Sequence, residues 1–288
     1  MNPADPSNIA TWVEESPPGQ REFREAVHII LSAITNDPGL RNSMVMKGGI
    51  LMGIRYRSPR FTKDIDFSTT LSLKELDPGK IHRTLDVNLA LVATDLEYDL
   101  DCKVQGCKVN PSNRPDASFP SIELTIGHAY KGTPKHRRLL QGQSPSVVSI
   151  DFSMNERILE VENLEIGKGE SLRAYAFVDM LAEKFRSLLQ QVVRNRFRRQ
   201  DVFDLAMLIE RRVGENEKTL VLKSLIEKAL SRDMKIGRDS LDDSEVKRRA
   251  KADYHTLADE IEGELPDFEM TYEKITTFYR SLPWSDVV

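Results

Sequence analysis

The chain has little cysteine, no long apolar run and almost no net charge. Two cysteines in 288 residues, Cys102 and Cys107, are too few for a disulfide framework or a cysteine-rich zinc site, and they fit a reducing compartment. No apolar stretch approaches the roughly 20 residues of a membrane helix, so no membrane association is expected. The first residues lack a charged start followed by an apolar run, so no signal peptide is expected and a cytoplasmic setting is. With 41 basic and 45 acidic residues the formal net charge is −4, so any basic surface has to be local. The five histidines are scattered without metal-ligand spacing, and there is no internal repeat. What remains is 40% apolar and 30% charged, ordinary for a globular protein and too apolar for a disordered one.

The length suggests one large domain or two small ones. Residues 1–19 hold Pro3, Pro6, Pro17, Pro18 and Gly19 and read as an irregular arm. Residues 20–168 read as mixed α/β. Phe23, Ala26, Val27, Ile30, Leu31 and Ile34 form one helical face, closed by Asp37-Pro38-Gly39. Met44-Val45-Met46 is a short buried strand, followed by Lys47-Gly48-Gly49 and a helix from Ile50 to Tyr56. Asp64–Ser68 alternates as a strand, and Asp77 with Pro78 starts another helix. From Leu100 the period is two, with strands expected at 101–109, 121–130, 147–152 and 158–166 and loops at 111–120 and 132–145. Residues 169–288 read as helical, with helices near 174–193, 200–212, 217–231, 243–263 and 268–281. The expected class is α+β: a mixed sheet with a strand–GlyGly–helix–strand core, then a helical domain.

The chemistry concentrates in Lys47-Gly48-Gly49 and Asp64-Ile65-Asp66. Two glycines where a strand turns into a helix let backbone N–H groups approach a phosphate, and the helix dipole favours the anion. Asp64 and Asp66 are two apart on a strand, so both carboxylates point to one face. Paired hard carboxylates suit Mg²⁺ and leave coordination positions for phosphate and water. Two such ions can clamp a phosphoryl displacement. A third acid is expected on a neighbouring strand. Asp151, between Ile150 and Phe152, is the first candidate and Glu123 the second; the competing reading of Asp151 is a strand-end acid facing water.

Met46-Lys47-Gly48-Gly49-Ile50-Leu51 and Arg60-Phe61-Thr62-Lys63-Asp64-Ile65-Asp66-Phe67-Ser68 resemble the AbiEii/AbiGii toxin family of nucleotidyltransferase-fold proteins, which includes the MenT-type tRNA-modifying toxins. Members read K-G-G-T-x-L and R-x-S-x-D-I-D-F; here Ile50 replaces Thr and Thr62 replaces Ser. Asp179–Lys184 is similar to the family's D-x4-K motif. Arg199–Leu205 is similar to its R-x-[KR]-D-h-x-D-L motif, with Gln200 at a usually basic position. The resemblance spans about residues 44–208. It implies transfer of a nucleoside monophosphate from an NTP, CTP or GTP being favoured, to a hydroxyl, with pyrophosphate released. In that scheme Lys47, Gly48 and Gly49 bind the nucleotide, and Asp64, Asp66 and Asp151 bind Mg²⁺ (two ions). Lys184 meets the β- and γ-phosphates, and Asp201 or Asp204 positions Lys184, a base or a ribose. The competing readings are a surface pair for Asp179 and Lys184 and a helix N-cap for Asp201.

From Lys184 to Arg212 there are eight basic and three acidic residues. Arg186, Arg194, Arg196, Arg198 and Arg199, with Phe197 among them, are candidates for contacting an RNA acceptor, since arginine makes bidentate phosphate contacts and stacks on bases. A solvated helix face is the alternative. Asp253 to Val288, by contrast, holds nine acidic and two basic residues. Thr62, two residues before Asp64, is a regulatory candidate, because phosphorylation there would set negative charge beside the carboxylates. The expectation is a Mg²⁺-dependent nucleotidyltransferase toxin of a toxin–antitoxin or phage-defence system, acting on RNA, a tRNA 3′ end foremost, and restrained by a cognate antitoxin. No DNA sequence reading is expected. The alternatives are transfer to a protein hydroxyl, a non-catalytic GTP-binding module and the antitoxin half of the pair.

Overall fold

The computed structural model describes residues 9–112, 114, 116–167 and 169–287. Pro3 and Pro6 of the expected arm, and Lys168 at the expected domain boundary, lie outside them. The described residues fall into two compact units. One comprises the chain through Arg57, Thr62–Glu156 and Val161–Ala174; the other comprises Ser58–Phe61, Arg157–Glu160 and the chain from Tyr175.

The first unit is built on a seven-stranded mixed sheet of β1 (Val45–Lys47), β2 (Asp64–Ser68), β3 (Leu100–Asn110), β4 (Ser121–Tyr130), β5 (Val147–Ser153), β6 (Val161–Gly167) and β7 (Glu170–Tyr175), in the order β3-β4-β5-β2-β1-β7-β6. β2 runs antiparallel to β1 and parallel to β5, and β4 is antiparallel to β3 and β5. The helices are α1 (Ile9–Glu14), α2 (Arg21–Thr35), α3 (Pro38–Ser43), α4 (Gly48–Tyr56), α5 (Pro78–Asp95) and α6 (Pro134–Leu140). α2 is buried from Glu25 to Thr35, wider than the single apolar face read from its spacing, and Asn88 of α5 donates to the Ala33 carbonyl to satisfy part of that enclosure. Asp77 caps α5 by accepting from the Gly79 and Lys80 amides, with Pro78 in its first turn as expected.

Four expectations are corrected here. The arm is not irregular throughout: α1 buries Ile9 and Val13, and Arg24 lies over the Trp12 ring and donates to its carbonyl. Asp37 accepts from the Leu40 amide and so starts α3 rather than only ending α2. The loop at 132–145 contains α6, set by Thr133, which accepts from the His136 amide, and by Pro134; one buried side chain, Leu139, seats it. The region from 169 is not helical at its start, because β7 buries Leu172 and Ala174 and pairs parallel with β1, Met46 opposite Ala174. Two or fewer inward residues define each of α1, α3 and α6, too few to set a period.

The second unit holds α7 (Phe177–Gln190), α8 (Arg199–Ile209), α9 (Glu215–Leu230), α10 (Ser244–Lys251) and α11 (Phe268–Arg280). Its core includes Phe185, stacked on Phe278 and tilted against Tyr279. The long helix expected over 243–263 is instead α10 followed by a 3-10 turn at Tyr254–Asp259; Asp253 between them has a left-handed φ of 56°.

Candidate active site

In the sheet unit, strand pairing lines up charged residues into one row. Lys47 of β1 lies opposite Asp66 of β2, Asp66 opposite Asp151 of β5, Asp151 opposite Glu123 of β4, and Glu123 opposite Lys108 of β3. Directly paired residues project to the same face, so the row is continuous across five strands. The alternate positions, Ile65, Phe67, Ile122, Leu124, Ile150 and Phe152, are fully buried and fix which way the row points. Asp64 shares the face of Asp66 and lies opposite Ser149.

The β1–α4 turn meets this row directly. Gly48 has φ +78°, and a Cβ there would stand 2.0 Å from the Asp66 Oδ2 atom. Both the backbone conformation and the carboxylate exclude any side chain at this position. α4 starts at Gly48 and runs nine residues, so the amides of its first turn open beside Asp66. Lys47 sits at the N-cap, with its Nζ 3.9 Å from Glu156 Oε1.

The acids of the row differ in their partners. Asp151 accepts from the Ser153 hydroxyl at 3.0 Å and the Ser121 hydroxyl at 3.5 Å, both neutral. Glu123 is paired, with Lys108 Nζ at 3.0 Å and Asn110 Nδ2 at 3.0 Å. Asp64 reaches solvent, yet enclosure by neighbouring atoms, and then the charges of Asp151 and Glu123, raise its carboxyl above the usual range; Lys63 opposes them. No three Asp, Glu, His or Cys side chains among the described residues converge as a ready-made metal cluster. Hard carboxylate oxygens on one face, those of Asp151 held by neutral hydroxyls, fit a divalent cation, with Asp64, Asp66 and Asp151 as the residues that would hold it.

In the helical unit, Lys184 of α7 is buried between two acids of α8. Its Nζ lies 2.6 Å from Asp204 Oδ2 and 3.2 Å from Asp201 Oδ1. Arg60 forks onto the same Asp204, Nε to Oδ1 at 3.0 Å and Nη2 to Oδ2 at 2.8 Å. Burial alone would drive Asp204 towards its neutral form, but Lys184 and Arg60 override it and hold the carboxyl at about 2. Burial likewise works against the Lys184 ammonium, and Asp204 and Asp201 outweigh it, so its pKa is raised.

Two competing readings fall here. Asp201 is not a cap: α8 begins at Arg199, and Asp201 is buried in its first turn. Asp179 and Lys184 are not a surface pair: both are buried, and Asp179 pairs with Lys228 at 3.2 Å and accepts from Ser224. A D-x4-K spacing puts the two residues on different sides of a helix, so each meets different neighbours.

The arginine stretch divides. Arg194 and Arg196 are exposed, while Arg198 and Arg199 are half-buried, and Arg199 pairs with Glu260 at 2.9 Å. Arg186 does not belong to a basic surface: it is buried in α7 against Glu183 and Gln190, because its position falls on the inward face of that helix. Thr62 is half-buried and lies ahead of β2, which starts at Asp64, so it is not on the strand. The sequence assigns no role in this cluster to Arg60, Lys228 or Glu260, the last being read with its acidic neighbours as a solvated face. For Arg60 a signal was present, since it opens the stretch that ends in Asp64-Ile65-Asp66; for Glu260, inside an acidic run, there was none.

A sequence model described as "Nucleotidyl transferase AbiEii toxin, Type IV TA system" matches residues 29–276. No curated protein matches the chain in sequence. Among solved structures, MenT4, a nucleotidyltransferase toxin from Mycobacterium tuberculosis, is similar with a TM-score of 0.54 at 15% identity, covering 96% of this chain and 90% of that one. JHP933 from Helicobacter pylori is similar with a TM-score of 0.49 at 14% identity, covering 92% of each chain. The sheet and helices are those of the nucleotidyltransferase fold seen in MenT4. With a family match over most of its length, the chain belongs to the AbiEii nucleotidyltransferase toxins of type IV toxin–antitoxin systems, a family that implies an NTP substrate and an antitoxin partner.

Proposed function

We propose that the protein is a Mg²⁺-dependent nucleotidyltransferase that moves a nucleoside monophosphate from an NTP, CTP or GTP foremost, to an RNA hydroxyl, a tRNA 3′ end being the leading acceptor. The observation that carries this reading is the junction of Gly48 with Asp66: the phosphate-binding turn and the carboxylate row are built against each other. Gly48 and Gly49 offer amides to the triphosphate. Asp64, Asp66 and Asp151 hold the Mg²⁺, two ions in this reading, while Glu123 stays paired with Lys108. Bound there, Mg²⁺ neutralises phosphate charge and lowers the pKa of the attacking hydroxyl. Lys184 meets the β- and γ-phosphates as a point charge, and Asp201 and Asp204 orient it. Of the arginine stretch, the exposed Arg194 and Arg196 and the half-buried Arg198 would contact an acceptor's phosphates, while Arg199 is engaged by Glu260.

The setting is the cytoplasm, in toxin–antitoxin control or phage defence. No helix among the described residues is long and apolar enough to cross a membrane. Phosphorylation of Thr62 would add negative charge close in sequence to Asp64 and silence the enzyme.

The test is transfer from each α-³²P-labelled NTP to total tRNA with Mg²⁺, beside Asp64→Ala. Label on tRNA from one NTP, absent with the variant, is the expected result. Label on protein would move the acceptor to a protein hydroxyl. No label anywhere would leave a nucleotide-binding module and refute the transferase reading.

A further inference from the structure

Within the helical unit, Lys184, Asp201 and Asp204 carry one net negative charge between them. A triphosphate approaching that trio would be repelled by it. Asp201 adds to the difficulty, since its Oδ2 atom is buried without a hydrogen-bond partner among the described residues. Arg60 makes the group neutral. Its guanidinium is buried, and its fork occupies both oxygens of Asp204 while Lys184 shares Oδ2. Arg60 Nη1 stands 3.9 Å from Glu260, but Glu260 is paired with Arg199 at 2.9 Å, so that outer pair cancels.

Backbone contacts fix where Arg60 stands. It bridges Ile261, the Phe61 amide donates to the Glu260 carbonyl at 2.7 Å, and the Glu262 amide donates to the Pro59 carbonyl at 3.0 Å. A bidentate arginine fork sets the plane of the carboxylate it holds, which a lysine cannot do. The orientation of Asp204 towards Lys184 therefore depends on Arg60.

We propose that Arg60 is a positioning residue for Lys184: by neutralising and orienting Asp204 it leaves the Lys184 charge effective towards the triphosphate of the NTP. Arg60 acts through Asp204 and does not touch the nucleotide. The inference rests on the assignment of Lys184 to the triphosphate, so the experiment separates the two.

Binding of α,β-methylene NTP analogues with Mg²⁺ is titrated against the wild type, Lys184→Met, Arg60→Gln, Arg60→Lys and the double variant Arg60→Gln/Asp204→Asn. Losing one charge near the phosphates should weaken binding on the order of tenfold in Arg60→Gln. The double variant restores neutrality and should recover most of that loss, which a merely structural role does not predict. Arg60→Lys keeps the charge without the fork and should bind as wild type while kcat falls. If Lys184→Met binds normally, the assignment of Lys184 fails and this inference with it. If Lys184→Met weakens binding and Arg60→Gln does not, or the double variant is as weak as the single, the assignment stands and the inference alone is overturned. Should Arg60→Gln fail to fold, Arg60→Lys decides: wild-type kcat would refute the fork.

Discussion

The two units handle carboxylates in opposite ways. On the sheet, like charges are set side by side on one face, with serine hydroxyls rather than cations holding Asp151. Among the helices, Asp204 is buried and held by two cations. Acids of the first kind lack a cation partner in the protein itself, an arrangement that a divalent cation would complete. Those of the second kind are already compensated by the lysine and arginine they touch. Both belong to a nucleotidyltransferase of the AbiEii family, and the difference in environment separates carboxylates left open to a ligand from carboxylates already paired.

The sharpest break in this comparison comes from the sheet. Asp66→Asn, or Asp64→Ala, should lower nucleotide transfer on the order of 10³-fold or more while circular dichroism stays that of the wild type. An active, folded variant would remove the row from the mechanism. The matching change among the helices should fail differently. Asp204→Asn leaves the buried Arg60 without the carboxylate its fork holds and Lys184 with Asp201 alone, and denaturant unfolding should show a loss of about 3–5 kcal/mol. Gly48→Ala lies between the two. The left-handed φ and the contact with Asp66 should cost about 1–3 kcal/mol in stability, and NTP binding should fall as well.

Within the row, Asp151→Asn should abolish transfer, whereas Glu123→Gln, whose parent is already paired with Lys108, should keep most of it. The reverse result would make Glu123 the third acid. The smallest effect is in the response to pH. Asp204 has a depressed pKa in the fold, about 2 against an ordinary 3.8, so its contribution is complete above about pH 4 and is lost as pH falls through 2. Asp64 has the opposite sign. Its pKa is raised, so its ionised form weakens the fold at neutral pH, and Asp64→Asn should melt slightly higher than wild type without divalent metal. A lower melting temperature would contradict the reading of the row as mutually repelling.

Much of the sheet site was legible in advance because it is written locally. Asp64 and Asp66 share a face through the two-residue period of a strand, and the β2 and β4 spans, Asp64–Ser68 and Ser121–Tyr130, follow alternation that tertiary contacts had no reason to disturb. The α5 start was equally plain, since Asp77 and Pro78 act on adjacent amides. Short elements were not legible. α1, α3 and α6 each rest on one or two inward side chains, and β7 becomes a strand by pairing with β1 across more than a hundred residues of chain.

The arginine stretch shows the limit of reading charge from sequence. Arg186 and Arg194 are eight apart in one basic run, yet one is buried against Glu183 and Gln190 and the other is exposed. Composition gives the sum of charge, and only burial says which charges reach a ligand.

Residue types and spacings are legible in the amino-acid order alone: a glycine turn into a helix, two acids on one strand face, a lysine and two acids on helices. Those depend on the backbone periods of single elements. The partners come from the folded chain: Asp66 presses against Gly48, Asp151 meets hydroxyls while Glu123 meets Lys108, and Arg60 shares Asp204 with Lys184. Partnership depends on strand register and helix packing between residues distant in the chain, and the free energy of a charge is set by what lies within a few ångströms of it rather than by its neighbours in sequence.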